Sequence, residues 1–274
     1  MNINFISGGM LGDFIHNMAV VKNVCDKEKC RANVYLTDKI GIYNGDTWKM
    51  GCERAHSDLK ELIMSQPFVD KFEVLPDGFD QPFINLNAWR VSIEQDRMEK
   101  GYYYRSWSEL LSRHYGYNIS TQYRWLDAPK DEVDVKGKIV IHRSTHRHNP
   151  TFNWERILDR DEGFVFVTSA ISEWDKFPFK KDNVKLRIVE SINDRASCIN
   201  SGKYFIGNQS APFALASALD VPRFVELDGS AFMFYMNEKK YSSNISWHLT
   251  GKIHAYEKFI LSLQSATDKD FTNI

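Results

Sequence analysis

The chain has 274 residues, 43% hydrophobic and 26% charged, enough for one large or two ordinary domains with buried cores and too apolar for disorder. Its formal net charge of −1 gives no global attraction to nucleic acid, so a polyanion must find a local site. No stretch reaches the roughly 20 apolar residues of a membrane helix, and the start lacks the basic and apolar regions of a secretion signal, so a cytoplasmic location is expected.

In chain order, Asn4 to Ser7 is a short strand, followed by Gly8-Gly9-Met10-Leu11-Gly12-Asp13 and a helix from Phe14 to about Val24. Strand, glycine turn and helix is the opening of a Rossmann-like unit. Asn33 to Thr37 is a second strand, and Ser57 to Met64 a helix capped by Ser57. Val69 to Leu75 and Phe83 to Leu86 are further strands. Tyr102, Tyr103, Tyr104 and Trp107 form an aromatic patch, suited to core packing or to lining a cleft.

The polar, proline-bearing run Asp127 to Gly137 reads as a domain boundary, after which the alternation restarts. Strands are expected at Lys138–His142, Phe164–Thr168, Val184–Val189, Tyr204–Ile206 and Arg223–Leu227. Helices are expected around Trp154–Leu158, at Ile192–Ile199 and at Phe213–Leu219, with Pro212 in the first turn of the last. A final helix at about His254–Leu263 could pack back on the first half. Two Rossmann-like α/β domains facing a cleft is the architecture this implies, and one continuous doubly wound sheet is the other reading. The expected divisions are 1–132, 133–252 and a C-terminal helix in 253–274.

Three turns at carboxyl ends of strands can carry chemistry, because open α/β sheets bind ligands there. In the first, Asp13 is either a general base at the mouth of the helix or an ordinary helix cap. The second, His142-Arg143-Ser144-Thr145-His146-Arg147-His148, concentrates cations after an apolar strand, as an anion site needs. A solvated basic loop, or a metal site from His142, His146 and His148, would use the same residues. The third, Gly207-Asn208-Gln209-Ser210-Ala211-Pro212, is a turn opening a helix whose free N–H groups suit phosphate, although an ordinary core turn looks alike. Cys25, Cys30, Cys52 and Cys198 have no zinc-like spacing and read as reduced thiols.

Taken together, these turns resemble the GT-B glycosyltransferases of the heptosyltransferase type, glycosyltransferase family 9. The resemblance rests on Gly9-Met-Leu-Gly12-Asp13, on Ile139 through Arg147 with Phe152-Asn-Trp154, and on Gly207-Asn-Gln-Ser-Ala-Pro212 followed by Ala218-Leu-Asp-Val-Pro222. Gln209 and Ala211 depart from the family's Asp and Gly. The resemblance implies inverting, metal-independent transfer of a sugar from a nucleotide-sugar donor, with no cofactor. Asp13 would be the base, and Gly12, Arg143, Ser144, His146, Arg147, Asn208, Gln209, Ser210 and Ala211 would bind the donor. Trp154 and Glu190 would lie near its nucleoside. The acceptor would be a glycan, a lipid-linked molecule or another hydroxyl compound, with nucleic acid disfavoured. The alternatives within the resemblance are a nucleotide-sugar epimerase, a fucosyltransferase-like enzyme, or a non-catalytic module that binds nucleotide sugar.

Overall fold

The computed structural model describes residues 2–39, 48–100, 106–121, 123–150, 152–226 and 245–248. Strand and helix alternate from the start: β1 (Asn2–Ser7), α1 (Leu11–Glu28), β2 (Arg31–Leu36), α2 (Cys52–Met64), β3 (Val69–Val74) and β4 (Ile84–Asn85). Two helices close the first half, α3 (Trp89–Lys100) and α4 (Trp107–Tyr115). The second half runs β5 (Ile139–His142), α5 (Trp154–Leu158), β6 (Phe164–Thr168), α6 (Ile171–Asp175), β7 (Val184–Ile188) and α7 (Ile192–Ser201). It continues through β8 (Tyr204–Asn208), α8 (Ala211–Ala218), β9 (Arg223–Glu226) and β10 (Ile245–His248).

Two separate sheets form, so the single continuous sheet is excluded. The first has the order β3-β2-β1-β4 and the second β10-β9-β8-β5-β6-β7, and every pairing is parallel. The second order is the Rossmann arrangement, with its reversal point between β5 and β8. The first sheet reverses between β1 and β4. Strands buried on both faces read as continuous apolar runs, which is why Ile139–Val140–Ile141 and Phe164–Val167 were legible as strands.

The halves meet through helices. α1 is buried along Phe14 to Val21 because it packs on its own sheet and against α8. Gly12 lies at this contact, where a Cβ would sit at an ordinary 3.7 Å from the Ala211 backbone. The segment between the sheets ties in here, since Trp125 Nε1 donates to Ile15 O at 2.8 Å and Trp125 N to Ala218 O at 3.0 Å. One hydrophobic cluster consequently joins Phe5, Val20 and Leu62 to Val140, Phe213 and Leu215. A second, built on Trp154, Phe164, Phe166 and Phe177, covers the other face of the second sheet.

Several expectations need correction. α2 starts at Cys52, so Ser57 is a mid-helix residue rather than the cap. Gly207 is not a turn residue but the fourth residue of β8. Its need for glycine is steric, because a Cβ would meet His142 O at 2.6 Å and the Phe205 ring at 2.8 Å. α3, α4 and α6 carry no expectation from the sequence; α4 is marked only by Ser106, whose hydroxyl accepts from Glu109 N, and by Gly116 at φ 71°. Tyr102 to Tyr104 and the helix expected at His254–Leu263 lie outside the described residues. Cys25, Cys30, Cys52 and Cys198 are free thiols, and burial pushes Cys25 up to about 12 and Cys52 and Cys198 to about 11, which keeps them unreactive.

Candidate functional site: a cleft between the two sheets

A cleft of about 1140 Å³ opens between the carboxyl ends of the two sheets, large enough for a nucleotide-sized ligand. Its first wall is built on the turn from β1 into α1. The buried Asn87 side chain fixes that turn, accepting from Gly8 N at 2.8 Å and donating to Gly9 O at 2.9 Å. Helix α1 begins at Leu11 with Met10 as an N-cap that makes no side-chain bond, so Asp13 is not the cap. Asp13 sits in the first turn, where the helix dipole favours a carboxylate, and it is ion-paired with Arg90 of α3. Arg90 also lies 4.7 Å from the Trp89 ring centroid.

His16, one turn beyond Asp13, shares its face of the helix and also lines the cleft. Its ring stacks on Trp107 at 4.4 Å, and its Nδ1 is buried with no hydrogen-bond partner among the described residues. Burial, aided by the positive charge of Arg223, pushes its pKa down to about 3, so the ring is neutral. Nothing in the sequence marked His16 except its spacing of three from Asp13.

The opposite wall is made by the loop after β5 and the start of α8, which flank the reversal point of the second sheet. Ser144, His146 and Arg147 line the cleft, with Arg147 in the left-handed region at φ 57°. Across from them Gln209, Ser210 and Ala211 open α8, and its first-turn N–H groups lack intrahelical acceptors. Gly12 and Asp13 line the same space, so the N-termini of α1 and α8 both face one cleft. Among the described residues no group of three or more His, Cys, Asp or Glu could hold a metal ion. His148 instead bonds Ser144 O at 2.7 Å.

Two expected donor contacts sit behind this wall. Arg143 does not line the cleft; its fork grips Glu226, Nε to Oε2 and Nη2 to Oε1 both at 2.8 Å. Glu226 is fully buried and also accepts from Asn149 N at 2.8 Å and Trp154 Nε1 at 2.9 Å. Trp154 is thereby a core residue, not part of the nucleoside's surroundings. Asn208 is likewise turned inward. It accepts from Ser144 N at 3.0 Å and donates to Ser144 Oγ at 3.0 Å and to His146 O. Residues 144–149 are therefore braced from β8 by Asn208 and from β9 by Glu226.

Deeper along the second sheet lies a polar floor of which the sequence pointed only to His142 and Glu190. His142 Nδ1 donates to Val167 O at 2.9 Å, leaving the Nε2 lone pair 3.9 Å from Glu173 Oε1. Burial pushes His142 down to about 4, Glu173 opposing and Arg195 assisting, so this ring too is neutral. Arg195 donates from Nη2 to Ser169 Oγ at 2.6 Å. Glu190, expected near a nucleoside, lines the cleft beside them.

At the sequence level no family model and no curated protein matches this chain. The fold has clear counterparts: two Rossmann-like domains about a cleft is the GT-B architecture, and glycosyltransferase family 9 heptosyltransferase structures share it across almost the whole chain. A glycosyltransferase family 9 protein from Veillonella parvula superposes with a TM-score of 0.59 at 12% identity, covering 100% of this chain and 93% of its own. The Escherichia coli heptosyltransferase WaaC with ADP gives 0.58 at 12% identity, covering 96% and 99% respectively. The E. coli ADP-heptose lps heptosyltransferase II gives 0.53 at 10% identity, covering 97% and 99%. No helix among the described residues is long and apolar enough to cross a membrane.

Proposed function

We propose that the protein is a glycosyltransferase that moves a sugar from a nucleotide-sugar donor to an acceptor hydroxyl, with inversion and without a metal. The observation that carries this reading is the pairing of walls: a carboxylate at the mouth of α1 faces a cleft whose other side offers a helix N-terminus and a cationic loop. The ADP and ADP-2-deoxy-2-fluoro heptose in the WaaC structures support a nucleoside diphosphate sugar as the ligand class.

In the proposed reaction, Asp13 takes the proton of the acceptor hydroxyl as its oxygen attacks the anomeric carbon. The bond from that carbon to the diphosphate oxygen breaks on the opposite face, which inverts the configuration. Arg90, ion-paired with Asp13, orients the carboxylate for the proton. Negative charge growing on the leaving diphosphate is met by the α8 N-terminus, the Ser144 and Ser210 hydroxyls, and Arg147 with His146. Fixed donors of this kind can do the work of a cation, which supports metal-free transfer. Acceptor groups would lie along the first wall, where Trp48 and Trp107 reach the cleft with the small part of each that is exposed. A glycan or lipid-linked acceptor fits such a wall better than nucleic acid does. The reading goes with a cytoplasmic location, where nucleotide sugars are made.

Differential scanning against a panel of nucleoside diphosphates and nucleotide sugars tests the proposal. Stabilisation by at least one donor, and its turnover in the presence of chelator, are expected. No shift with any donor at millimolar concentration would remove it, and loss of activity with chelator would remove the metal-free mechanism.

A further inference from the structure

The proposed chemistry leaves one buried cation of the cleft without a role. Arg195 is the fourth residue of α7 and is only 7% exposed, yet it lines the cleft. Its Nη2 is held by Ser169 Oγ, and among the described residues its Nε is sealed without a hydrogen-bond partner and no carboxylate forms an ion pair with it. Its counter-charge, Glu173, is held beyond ion-pair distance, and burying a guanidinium that way is costly, so an acceptor supplied from the cleft would be favoured. Glu173 and the neutral His142 are its charged and titratable neighbours across the floor.

Sheet order says which part of a donor would reach it. The loop after β5 and the start of α8 flank the β5/β8 junction, whereas Ser169 follows β6 and Val189–Ser191 follow β7. Neighbouring strands are about 4.8 Å apart, so the two places are separated by roughly 10 Å along the sheet. With the diphosphate at the β5/β8 junction, the ribose falls over β6 and the base over the β6/β7 ends beside Arg195.

We propose that Arg195 reads the donor's nucleobase and selects one that carries a carbonyl at this edge, a 6-oxopurine or a 4-oxopyrimidine, over adenine or cytosine. A guanidinium only donates. A base carbonyl accepts from it, and guanine O6 with N7 matches its fork, whereas an exocyclic amino group sets donor against donor. The inference rests on the nucleotide-sugar reading above and adds the class of nucleotide.

Isothermal titration of GDP, IDP, UDP, ADP and CDP into the full chain and into Arg195→Leu and Arg195→Lys tests it. IDP replaces the amino group of adenine with the carbonyl and lacks the 2-amino group of guanine. The native protein is expected to bind GDP, IDP and UDP about tenfold or more tighter than ADP and CDP. Arg195→Leu should erase that preference by weakening the oxo bases alone, and Arg195→Lys should keep part of it. Should Arg195→Leu fail to fold, the native IDP/ADP ratio and the lysine variant decide. Native binding with ADP equal to or tighter than IDP, or equal weakening of all five in either variant, would overturn the base assignment and leave the donor cleft standing. Failure of all five to bind would overturn the donor reading and this inference together.

Discussion

The two walls of the cleft are built on different physical plans. The first presents side chains: Asp13 and His16 project from one buried helix and are held by Arg90 and Trp107. The second presents a helix N-terminus, small hydroxyls and the side chains of His146 and Arg147, while Arg143, Glu226 and Asn208 work behind the surface and lock the 144–149 loop. A wall that supplies a proton acceptor needs one well-oriented group, whereas a wall that holds a diphosphate needs many fixed dipoles that do not reorganise. Under the proposed reaction, chemistry falls to the first wall and binding to the second, and variants can separate the two.

The largest effect should come from Asp13→Asn. Donor turnover is expected to fall by about 10²- to 10⁴-fold, the usual worth of a general base, while donor affinity measured by calorimetry stays near that of the native protein. Equal losses in both would merge the two walls into one function. Glu226→Ala should do the reverse by leaving the largely buried Arg143 guanidinium, 12% exposed, without its carboxylate. Chemical denaturation is expected to show about 3–5 kcal/mol lost, with donor affinity falling alongside. An unaltered denaturation midpoint would mean that Glu226 is not the anchor of the loop.

Acid should weaken both walls through His16 and His142. The unfolded chain protonates each near 6.5, whereas the folded protein resists until about 3 and about 4 respectively. Stability is therefore full above 6.5 and falls as pH falls below it, by roughly 1.4 kcal/mol per pH unit for each ring. Thermal melts from pH 7 to 4 check this, and His16→Phe should flatten the slope by about half; an unchanged slope would assign the acid sensitivity elsewhere. The smallest effect separates two glycines. Gly12→Ala meets only ordinary contacts at 3.7 Å and should cost little. Gly207→Ala would drive its Cβ against His142 O and should lose about 1–3 kcal/mol, enough to read as a lowered midpoint in urea.

Much of this fold is legible in the amino-acid sequence because buried parallel strands are short apolar runs closed by polar turns, as at Ile139–His142 and Tyr204–Asn208. α3 escaped notice because Trp89 to Lys100 is mostly polar and its place is set by Arg90 reaching Asp13, a contact between residues far apart in the chain. The same limit applies to the site. Gly12, Asp13, Ser144, His146, Arg147, Gln209, Ser210 and Ala211 sit in local turn motifs and do gather at the cleft. Arg143 and Asn208 lie within those motifs too, but their side chains turn to Glu226 and to the loop backbone, a choice made by tertiary partners that spacing does not encode. Arg195 and Glu173 went unmarked because each sits among ordinary helix charges, beside Asp194 and near Asp175, and gains meaning only from the strands beside it.

The most direct test of the account is a structure of the protein with a bound nucleoside diphosphate. The diphosphate is expected between Ser144–Arg147 and the N-terminus of α8, with Asp13 facing it across the cleft and the base beside Arg195. A nucleotide bound away from the β5/β8 junction, or lying with its phosphates at β7, would contradict it.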